Sequence, residues 1–447
     1  MGKQLAGAIK RGCAVLWLAA GLEISLAVAG GLLCAAPAAL AQGSEPTAQK
    51  RFGSGETTLP SILKPTQPPA FQITVEPLGF SAPGAGYLGQ RITQVSLDFL
   101  DESRLLFTFR VPGLIRREAG NGEASEERQI RALVLELPSG RVEAEALWTL
   151  HGRARYLWML KDGSFLIRDG KDLKKSDAAL ELKPFLRFPG PLLWLDTDPL
   201  QQVLATGSWE PAAAGRGEAA DRAVDGARTA GQADLVVRIL RRDSGQVLLV
   251  SRAGTASHLP LDSDGYLESL HSKGTEWQLN LHSFTGAITP VGRLDSSCAP
   301  SFDFVSQREL VATACNSKGG RKLVAMTSDG RRLWEAQLPE IDVWPLLAPS
   351  PDGSRLMRET LTVNRGVSAS SPLTTEDVRG QSVEIFDASN GKVVLAVQVA
   401  PALDGGGNVA ISPSGRRVAA LNGGYIQIFE LPAPVALPDD SGNQSSH

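Results

Sequence analysis

Histidine and cysteine are the side chains most often used for metal binding and acid–base or nucleophilic chemistry, and this sequence has few of them. Its five histidines are His151, His258, His271, His282 and His447. None stands in an HExxH or CxxCH arrangement, which would indicate a zinc protease or a c-type haem. Gly-x-Ser-x-Gly, P-loop and dinucleotide-binding motifs are also absent from the sequence. The sequence therefore predicts no familiar enzyme class and no cofactor.

One predicted hairpin brings together the best candidates for metal ligands. A turn centred between Ser263 and Asp264 would place His258 opposite Ser269, with His271 diagonally on the same face. Zinc usually takes three or four protein ligands, so two imidazoles alone make a poor site. We therefore interpret His258 and His271 as histidines at the surface or edge of the protein that bind no metal.

The same turn, Asp262-Ser263-Asp264-Gly265, carries carboxylates that suit calcium, and Glu268 follows it. It lacks most of the ligands of an EF-hand loop. A plain hairpin turn is the favoured interpretation, and no metal site is predicted.

Cys298 and Cys315 lie symmetrically about a predicted turn at Ser306-Gln307. Opposed residues of an antiparallel pair lie about 4.5 to 5.5 Å apart at Cα, which overlaps the range of a disulfide. The sequence predicts a disulfide between them, with two buried thiols as the alternative.

The first 41 residues have the pattern of a secretory signal peptide. Lys3, Lys10 and Arg11 precede an apolar run that ends on small residues at Ala41. A positive start, an apolar centre and a small-x-small end are typical of a cleaved signal peptide. We therefore predict a signal peptide over residues 1–41 and a periplasmic or secreted protein.

Two alternatives remain open for this segment. About 20 apolar residues suffice to span a bilayer, so the segment could remain as an anchor, although Glu23 would be costly at its centre. Cys34 could carry a lipid, but Leu33 precedes it where a lipoprotein motif has a small residue. Membrane contact is expected only if the segment stays uncleaved.

The composition indicates a folded chain with a large core. Of 447 residues, 43% are hydrophobic and 21% charged, which excludes a disordered or collagen-like protein. A net charge of −3 offers no basic field, so no nucleic-acid partner is predicted. Residues 42–70 are rich in proline and small polar residues and predict a flexible linker, and residues 434–447 predict a disordered tail.

Residues 71–433 repeat short apolar runs of strand-like period, separated by turns. One kind of turn joins a first strand to a second, as in Ser350-Pro351-Asp352-Gly353, and another joins a third to a fourth, as in Ser389-Asn390-Gly391. Seven first-strand turns predict seven four-stranded units, although the poor repeat at 156–188 leaves six or eight open. The last unit has three strands, and residues 71–77 can supply the fourth.

The predicted fold class is therefore all-β. It is a single β-propeller of seven blades, each with four antiparallel strands, closed into a ring by an N-terminal strand.

Two motifs carry a resemblance to a known family. Residues 348–356 and 411–419 contain an SPDG-like turn, and residues 383–392 contain a φxφφDxxxGK hairpin. On these motifs the chain resembles the bacterial WD40 or YVTN-like β-propellers. The Trp-Asp ending and the Gly-His pair of eukaryotic WD40 repeats are missing. The resemblance implies a propeller and a binding surface, and it implies no chemistry.

Residues 327–335 resemble a quinoprotein repeat, in which a glycine and a tryptophan lock neighbouring blades. Only one clear copy is present, with Leu147-Trp148 as a weak second, and there is no vicinal cysteine pair. No quinone is expected. The tryptophans of the repeat region are interpreted as blade-packing aromatics: Trp148, Trp158, Trp194, Trp209, Trp277, Trp334 and Trp344.

Three regions interrupt the repeat, at residues 114–128, 210–232 and 364–380. Each falls between a second and a third strand, and in antiparallel blades those connections leave by one face of the disc. We predict that this face contacts a protein or envelope component. Insertions without function are the alternative interpretation.

The predicted function follows from the fold and the missing chemistry. The innermost strands offer only Asp98 and Asp303 as scattered acids, whereas catalysis in the channel needs converging groups. We predict an exported, monomeric, non-enzymatic protein-binding or scaffolding module of the cell envelope. The alternative is a channel enzyme, such as a quinoprotein-like oxidoreductase or a lactonase-like hydrolase, and fold alone does not decide between them. Three or more acids or imidazoles converging on the axis would favour that alternative.

Overall fold

A computed structural model describes residues 66–82, 95–113, 116–117, 126–152, 155–210, 234–253, 259–318, 320–338, 342–364, 373–403 and 406–434. The predicted signal peptide, the linker up to residue 65 and the tail from residue 435 lie outside these residues. Within them, no helix is long and apolar enough to cross a membrane.

The strands of the described residues form seven antiparallel sheets, which we call blades 1 to 7 in chain order. The chain begins with β1 (Phe71–Thr74) and a 3-10 helix (Glu76–Leu78). Blade 1 contains β2 (Val95–Asp101), β3 (Arg104–Arg110), the two-residue β4 (Arg116–Arg117), β5 (Glu126–Glu136) and β6 (Val142–His151). Blade 2 contains β7 (Leu157–Met159), β8 (Phe165–Asp169), β9 (Asp172–Ser176) and β10 (Lys183–Arg187). Blade 3 contains β11 (Leu192–Thr197), β12 (Val203–Glu210), β13 (Asp234–Arg241) and β14 (Val247–Ala253).

The remaining blades follow the same order of strands. Blade 4 contains β15 (Leu261–Asp262), β16 (Gly265–Lys273), β17 (Glu276–Ser283) and β18 (Ile288–Asp295). Blade 5 contains β19 (Ser301–Phe304), β20 (Glu309–Cys315), β21 (Arg321–Thr327) and β22 (Arg332–Gln337). Blade 6 contains β23 (Asp342–Pro349), β24 (Arg355–Val363), β25 (Val378–Asp387) and β26 (Val393–Val399). Blade 7 contains β27 (Val409–Ile411), β28 (Arg417–Asn422) and β29 (Tyr425–Glu430).

The N-terminal strand completes the last blade. β1 pairs antiparallel with β29, from Phe71 opposite Ile428 to Thr74 opposite Tyr425. A strand from the other end of the chain thus becomes the outer strand of blade 7 and closes the ring. The predicted seven-bladed propeller is confirmed, and the poorly repeating stretch at 156–188 does form a complete blade.

Hydrophobic cores fill the spaces between blades because each sheet buries both faces. One core joins Leu97 and Phe107 of blade 1 to Ile426 and Ile428 of blade 7. Trp334 shows the same principle between blades 5 and 6, since its Nε1 donates to Ala388 O at 2.7 Å. Gly330, with φ +89°, lies so close to blade 4 that an added Cβ would come 2.1 Å from Val291 O. The Gly–Trp lock implied by the quinoprotein-like repeat is therefore present as a structural device.

Most of the tryptophans pack between strands and blades, as predicted. Trp148 is buried, and its Nε1 donates to Leu180 O of blade 2 at 3.1 Å. Among the tryptophans whose side chains are described, Trp209 is the exception, because its position near the end of β12 leaves it 41% exposed; the side chain of Trp344 lies outside that set.

The last residues before β1 contact the propeller. Thr66 N donates to Ala396 O at 3.1 Å, and Ala396 N donates to Thr66 Oγ1 at 3.1 Å. Gln67 Nε2 donates to Glu430 O at 2.9 Å. These five residues of the predicted linker, 66–70, therefore lie against blades 6 and 7.

The predicted disulfide between Cys298 and Cys315 is present, with the two Cα atoms 5.4 Å apart. Its setting differs from the prediction, because Ser301 pairs with Thr313 and the strand register is one residue away from the symmetric one. Cys298 precedes β19 in an irregular segment that Ser296 holds. The hydroxyl of Ser296 donates to Cys298 O at 2.6 Å and accepts from Cys315 N at 3.0 Å.

We expect the double substitution Cys298→Ser and Cys315→Ser to lower the free energy of unfolding by about 3 kcal/mol. A crosslink across a separation of 17 residues restricts the unfolded chain by about this amount. Urea unfolding of the oxidised protein and the variant measures the difference. The wild-type protein in reductant should lose a similar amount, and a loss below about 0.5 kcal/mol in the variant would contradict the expectation.

Candidate functional site

The innermost strands surround a central cavity of about 390 Å³. All seven blades contribute residues of their first strand to it; in blade 4 this residue is Leu261, preceded by Leu259 and Pro260. This cavity is the channel of the propeller, where side chains from all blades approach one another. It is the place where channel chemistry would occur.

Four aspartates line this cavity: three lie on the first strands of blades 1, 3 and 5, and the fourth, Asp198, lies in the turn after β11. Asp98 pairs with Leu106, Asp196 with Ala205 and Asp303 with Val311 across their first hairpins. Each of these three aspartates is thus separated from its cross-strand partner by a similar length of chain: seven residues in blades 1 and 5, and eight in blade 3. The three aspartates therefore lie at nearly the same height in the channel. The prediction of two scattered acids was wrong, because Asp196 belongs to the same level as Asp98 and Asp303.

Asp98 lies half-buried in the channel wall. Ser96 Oγ donates to its Oδ2 at 2.6 Å. Burial raises the pKa of Asp98 to about 6, against the opposing influence of Ser96 and the nearby Arg155 guanidinium. This carboxyl group therefore titrates close to neutral pH.

A fifth acid, Glu359, reaches the cavity from β24, the second strand of blade 6. Glu359 is only 3% exposed, and burial raises the pKa of its carboxyl group to about 8. Gln381 Nε2 donates to its Oε1. No residue in the described part of the chain donates a hydrogen bond to its Oε2. An added Cβ on Gly406 would lie 2.7 Å from that oxygen. A residue with a side chain at position 406 would therefore crowd the carboxyl group of Glu359.

Gln381 is held in one orientation. Its Oε1 accepts from Leu403 N and from Asn408 Nδ2, each at 2.9 Å. Its Nε2 also donates to Leu403 O at 3.2 Å. Because its carbonyl oxygen is fixed by two donors, the amide nitrogen must face Glu359, and the carboxyl group of Glu359 is positioned by blade 6 and the chain leading into blade 7.

Arg155 is the cation nearest these acids. It precedes β7, and its charge lowers the pKa of both Asp98 and Glu359 against the larger effect of burial. Its Nε donates to Leu157 O at 2.9 Å, and its guanidinium lies 5.6 Å from the ring centroid of Trp158. These contacts hold Arg155 on the wall of blade 2, where it stays exposed.

The predicted hairpin of blade 4 forms, but its polar residues have other partners. Leu261 pairs with Tyr266 and Asp262 with Gly265, which is the predicted register. His258 lies outside the described residues. His271 Nε2 is 2.8 Å from Gly274 O, and His271 pairs with Trp277 across the strands.

Glu268 takes part in a pair within the blade. Its Oε2 lies 2.7 Å from His282 Nε2, and the imidazole of His282 stacks on Tyr266 with ring centroids 5.1 Å apart. Glu268 is therefore engaged away from the Asp262 turn. Among the described residues, no three His, Cys, Asp or Glu side chains lie close enough together to hold a metal ion.

A second cavity, of about 800 Å³, lies on the face of the tight turns between blades 1 and 2. Its charged residues are of both signs, and six of the nine form ion pairs with one another. Arg104 lies 2.7 Å from Asp101, Lys175 lies 3.5 Å from Asp162, and Lys183 contacts Glu181 at 3.7 Å. This groove therefore presents a largely neutralised surface.

The predicted loops lie mostly outside the described residues, but the strands that anchor them are described. β3 and β5, β12 and β13, and β24 and β25 are the second and third strands of blades 1, 3 and 6. The three insertions therefore leave by one face of the disc, which we call the loop face. Residues 126–128 belong to β5 and residues 378–380 to β25, so two of the loops are shorter than predicted.

Ion pairs fix the base of the loop in blade 3. Arg238 Nη2 donates to Glu210 Oε2 at 2.8 Å, and Arg252 pairs with Asp234. In blade 1, the backbone of β4 pairs with β5, which sets Arg116 opposite Glu127. The insertions therefore start from rigid stems.

No protein-family model matches the sequence, and no curated protein matches it. The WD40 domain of Toxoplasma gondii coronin is similar in structure, with 12% identity, a TM-score of 0.43, and coverage of 79% of this chain and 86% of that one. A chain of a mitotic checkpoint complex has 11% identity and a TM-score of 0.43 over 86% of this chain and 98% of that one. Pyrococcus horikoshii acylaminoacyl peptidase has 10% identity and a TM-score of 0.44 over 75% of this chain and 50% of that one. Likeness at this level concerns the fold and carries no argument about function.

Proposed function

We propose that this chain is an exported β-propeller that acts as a non-enzymatic protein-binding or scaffolding module of the cell envelope. The observation that carries the proposal is the exit of all three long insertions from one face of a closed, rigid ring. Long connections on one face of a scaffold offer a large surface to a partner, and binding residues are often found on such loops. The bacterial YVTN-like grouping and a monomeric state are part of the same proposal.

Two further features support export. The N-terminal pattern is that of a signal peptide, and the propeller contains a disulfide between Cys298 and Cys315. Disulfides persist mainly in oxidising compartments such as the periplasm or the extracellular medium. Both features are what an envelope protein needs.

The loop face supports a protein partner better than the opposite face does. The loop in blade 1 contains Arg116, Arg117, Glu118 and Glu123, so its charges are mixed and suit selective contact with a protein surface. Most charges of the groove on the tight-turn face, six of nine, are already paired with one another. The loop face therefore has the greater capacity for new contacts.

Recovery of partners from an envelope fraction tests this proposal. A variant with residues 112–125, 211–232 and 365–376 replaced by short Gly-Ser turns should lose the proteins that the intact chain recovers. The matched control, Lys175→Ala with Lys183→Ala, alters the opposite face and should recover them unchanged. Equal recovery by the loop variant would overturn the loop face, and recovery of no partner by the intact chain would overturn the protein-binding role.

A second candidate is an enzyme that acts in the channel, and one observation favours it. Asp98 and Glu359 line the same cavity and titrate near pH 6 and pH 8, as acid–base groups in active sites often do. Five acids line the channel, but among the described residues no three His, Cys, Asp or Glu side chains lie close enough together to hold one ion, so the convergence that would favour an enzyme is not reached. Substitution of Asp98 by Asn would abolish such an activity and leave partner recovery intact.

A further inference from the structure

The central channel has more acidic than basic side chains on its wall. Its ionisable groups are Asp98, Asp196, Asp198, Asp303, Glu359, Arg155, Tyr156 and Lys161. Asp198 is engaged in its own turn, since its carboxylate accepts from Leu200 N at 2.9 Å and from Val203 N. The lining has five acids and two cations in all, so the channel carries a negative excess when its carboxyl groups are ionised.

One carboxylate oxygen in this wall lacks a hydrogen-bond donor. Glu359 is 3% exposed, and its Oε1 accepts from Gln381, whereas its Oε2 receives no donor from the part of the chain described. The residue lines the cavity, so this oxygen is available to a donor inside it. Glu359 Oε2 is not one of the fully buried side-chain atoms without a partner, so it is open to the cavity, and a cation bound there can donate a charge-assisted hydrogen bond to it.

The wall also has apolar side chains that are partly exposed. Leu259, Leu346 and Ile411 line the cavity in this way, beside polar residues such as Thr197 and Gln201. Carboxylates set among aliphatic side chains match a ligand with a cationic head and an alkyl chain. A bare metal ion fits less well, because no three candidate ligands of the described residues lie within reach of one ion.

We propose that the central channel is a binding site for a small alkylguanidinium or alkylammonium cation. The charged head donates to Glu359 Oε2 and lies near Asp98, and the alkyl chain packs against the apolar side chains of the wall. A guanidinium head forms paired hydrogen bonds with a carboxylate, which suits the fixed orientation that Gln381 gives to Glu359.

The guanidinium of Arg155 competes with the charged head of a ligand for the two acids, Asp98 and Glu359. It is close enough to lower the pKa of both acids, although Leu157 O and the ring of Trp158 hold it on the wall of blade 2. Removal of this charge leaves Asp98 and Glu359 without a neighbouring cation. A ligand should then bind more tightly.

Binding must be linked to proton release. The groups that face the two acids are Ser96, Arg155, Tyr156 and Gln381, with Lys161, Asp196, Asp198 and Asp303 elsewhere on the wall. A cation binds the ionised form of Glu359, whose pKa is about 8 in the free protein. Affinity therefore rises with pH by about tenfold per unit below pH 8 and levels off above it.

Calorimetric titration with butylguanidinium tests the proposal, and butylurea provides a neutral control of the same shape. The guanidinium stays charged throughout the range used. We expect butylguanidinium to bind on the order of 20-fold more tightly at pH 8.5 than at pH 6.5, and butylurea not to bind. Equal affinity at the two pH values, equal binding of butylurea, or no binding of butylguanidinium at pH 8.5 would overturn the proposal.

Two substitutions locate the site. Glu359→Gln keeps an acceptor for Gln381 and should weaken butylguanidinium binding at pH 8.5 by about tenfold, with loss of the pH dependence. Arg155→Gln should tighten it by about threefold or more. Glu181→Gln, in the outer groove, is the matched control and should change nothing. If Glu359→Gln bound the cation as the wild type does, the channel site would be refuted.

Discussion

Replacement of Arg355 by Met is expected to lower the free energy of unfolding by about 3 to 5 kcal/mol. Arg355 begins β24, is 1% exposed, and donates from Nη1 to Asp387 Oδ2 at 2.7 Å. Its Nη2 donates to Pro432 O at 2.5 Å, which attaches the end of blade 7 to blade 6. Loss of the arginine leaves Asp387 as a buried charge without its partner, and this is the costly way to break a buried ion pair. Urea unfolding measures the loss.

The control for this prediction is an exposed ion pair. Arg141 lies 3.0 Å from Glu136, with side chains 63% and 37% exposed, so Arg141→Met should cost less than about 1 kcal/mol. In a double-mutant cycle, Asp387→Asn combined with Arg355→Met should cost less than the sum of the single changes. The prediction fails if Arg355→Met and Arg141→Met prove equally mild.

Trp334→Ala is expected to cost about 3 to 5 kcal/mol of unfolding free energy. The indole is 9% exposed, stacks on Phe386 with ring centroids 6.3 Å apart, and donates to Ala388 O across the boundary between blades 5 and 6. Gly391 allows this contact, since an added Cβ would lie 2.6 Å from the ring. Truncation leaves a cavity between two blades and an acceptor without its donor. Thermal and urea unfolding both report the effect.

Trp209 offers a matched control of the same residue type. Because its side chain is 41% exposed, Trp209→Ala should cost less than about 1 kcal/mol. Trp334→Phe should fall between the two, since it keeps an aromatic ring and loses the donated hydrogen bond. A loss at Trp334 no larger than that at Trp209 would show that the indole is not a lock between blades.

The hairpins of this propeller could be predicted because their determinants are local. Glycines at positive φ end the tight turns at Gly163, Gly245, Gly330, Gly353 and Gly391, where an L side chain would be strained. The alternation of apolar residues then sets each strand and its partner. The ring closure by β1 was also predictable, because one unit lacked a strand and an unpaired edge needs a partner.

Strand order alone predicted that the three insertions leave by the loop face. It did not predict which face of the ring a partner would prefer. Antiparallel order alone puts the insertions after β3, β12 and β24 on one side of the ring. Which surface a partner prefers depends on how the charges of each face pair with one another. That pairing, such as Lys175 with Asp162, forms between separate strands and is not visible in local sequence.

The sequence by itself determined the all-β class, the seven blades, the N-terminal closing strand and the pairing of Cys298 with Cys315, since each depends on residues close in sequence or on a count of strands. Only the tertiary structure decided the composition of the channel. Asp98, Asp196 and Glu359 come from blades 1, 3 and 6, and they approach one another only when the ring closes. Burial then raises the pKa of Asp98 and of Glu359, and burial is a property of the assembled fold.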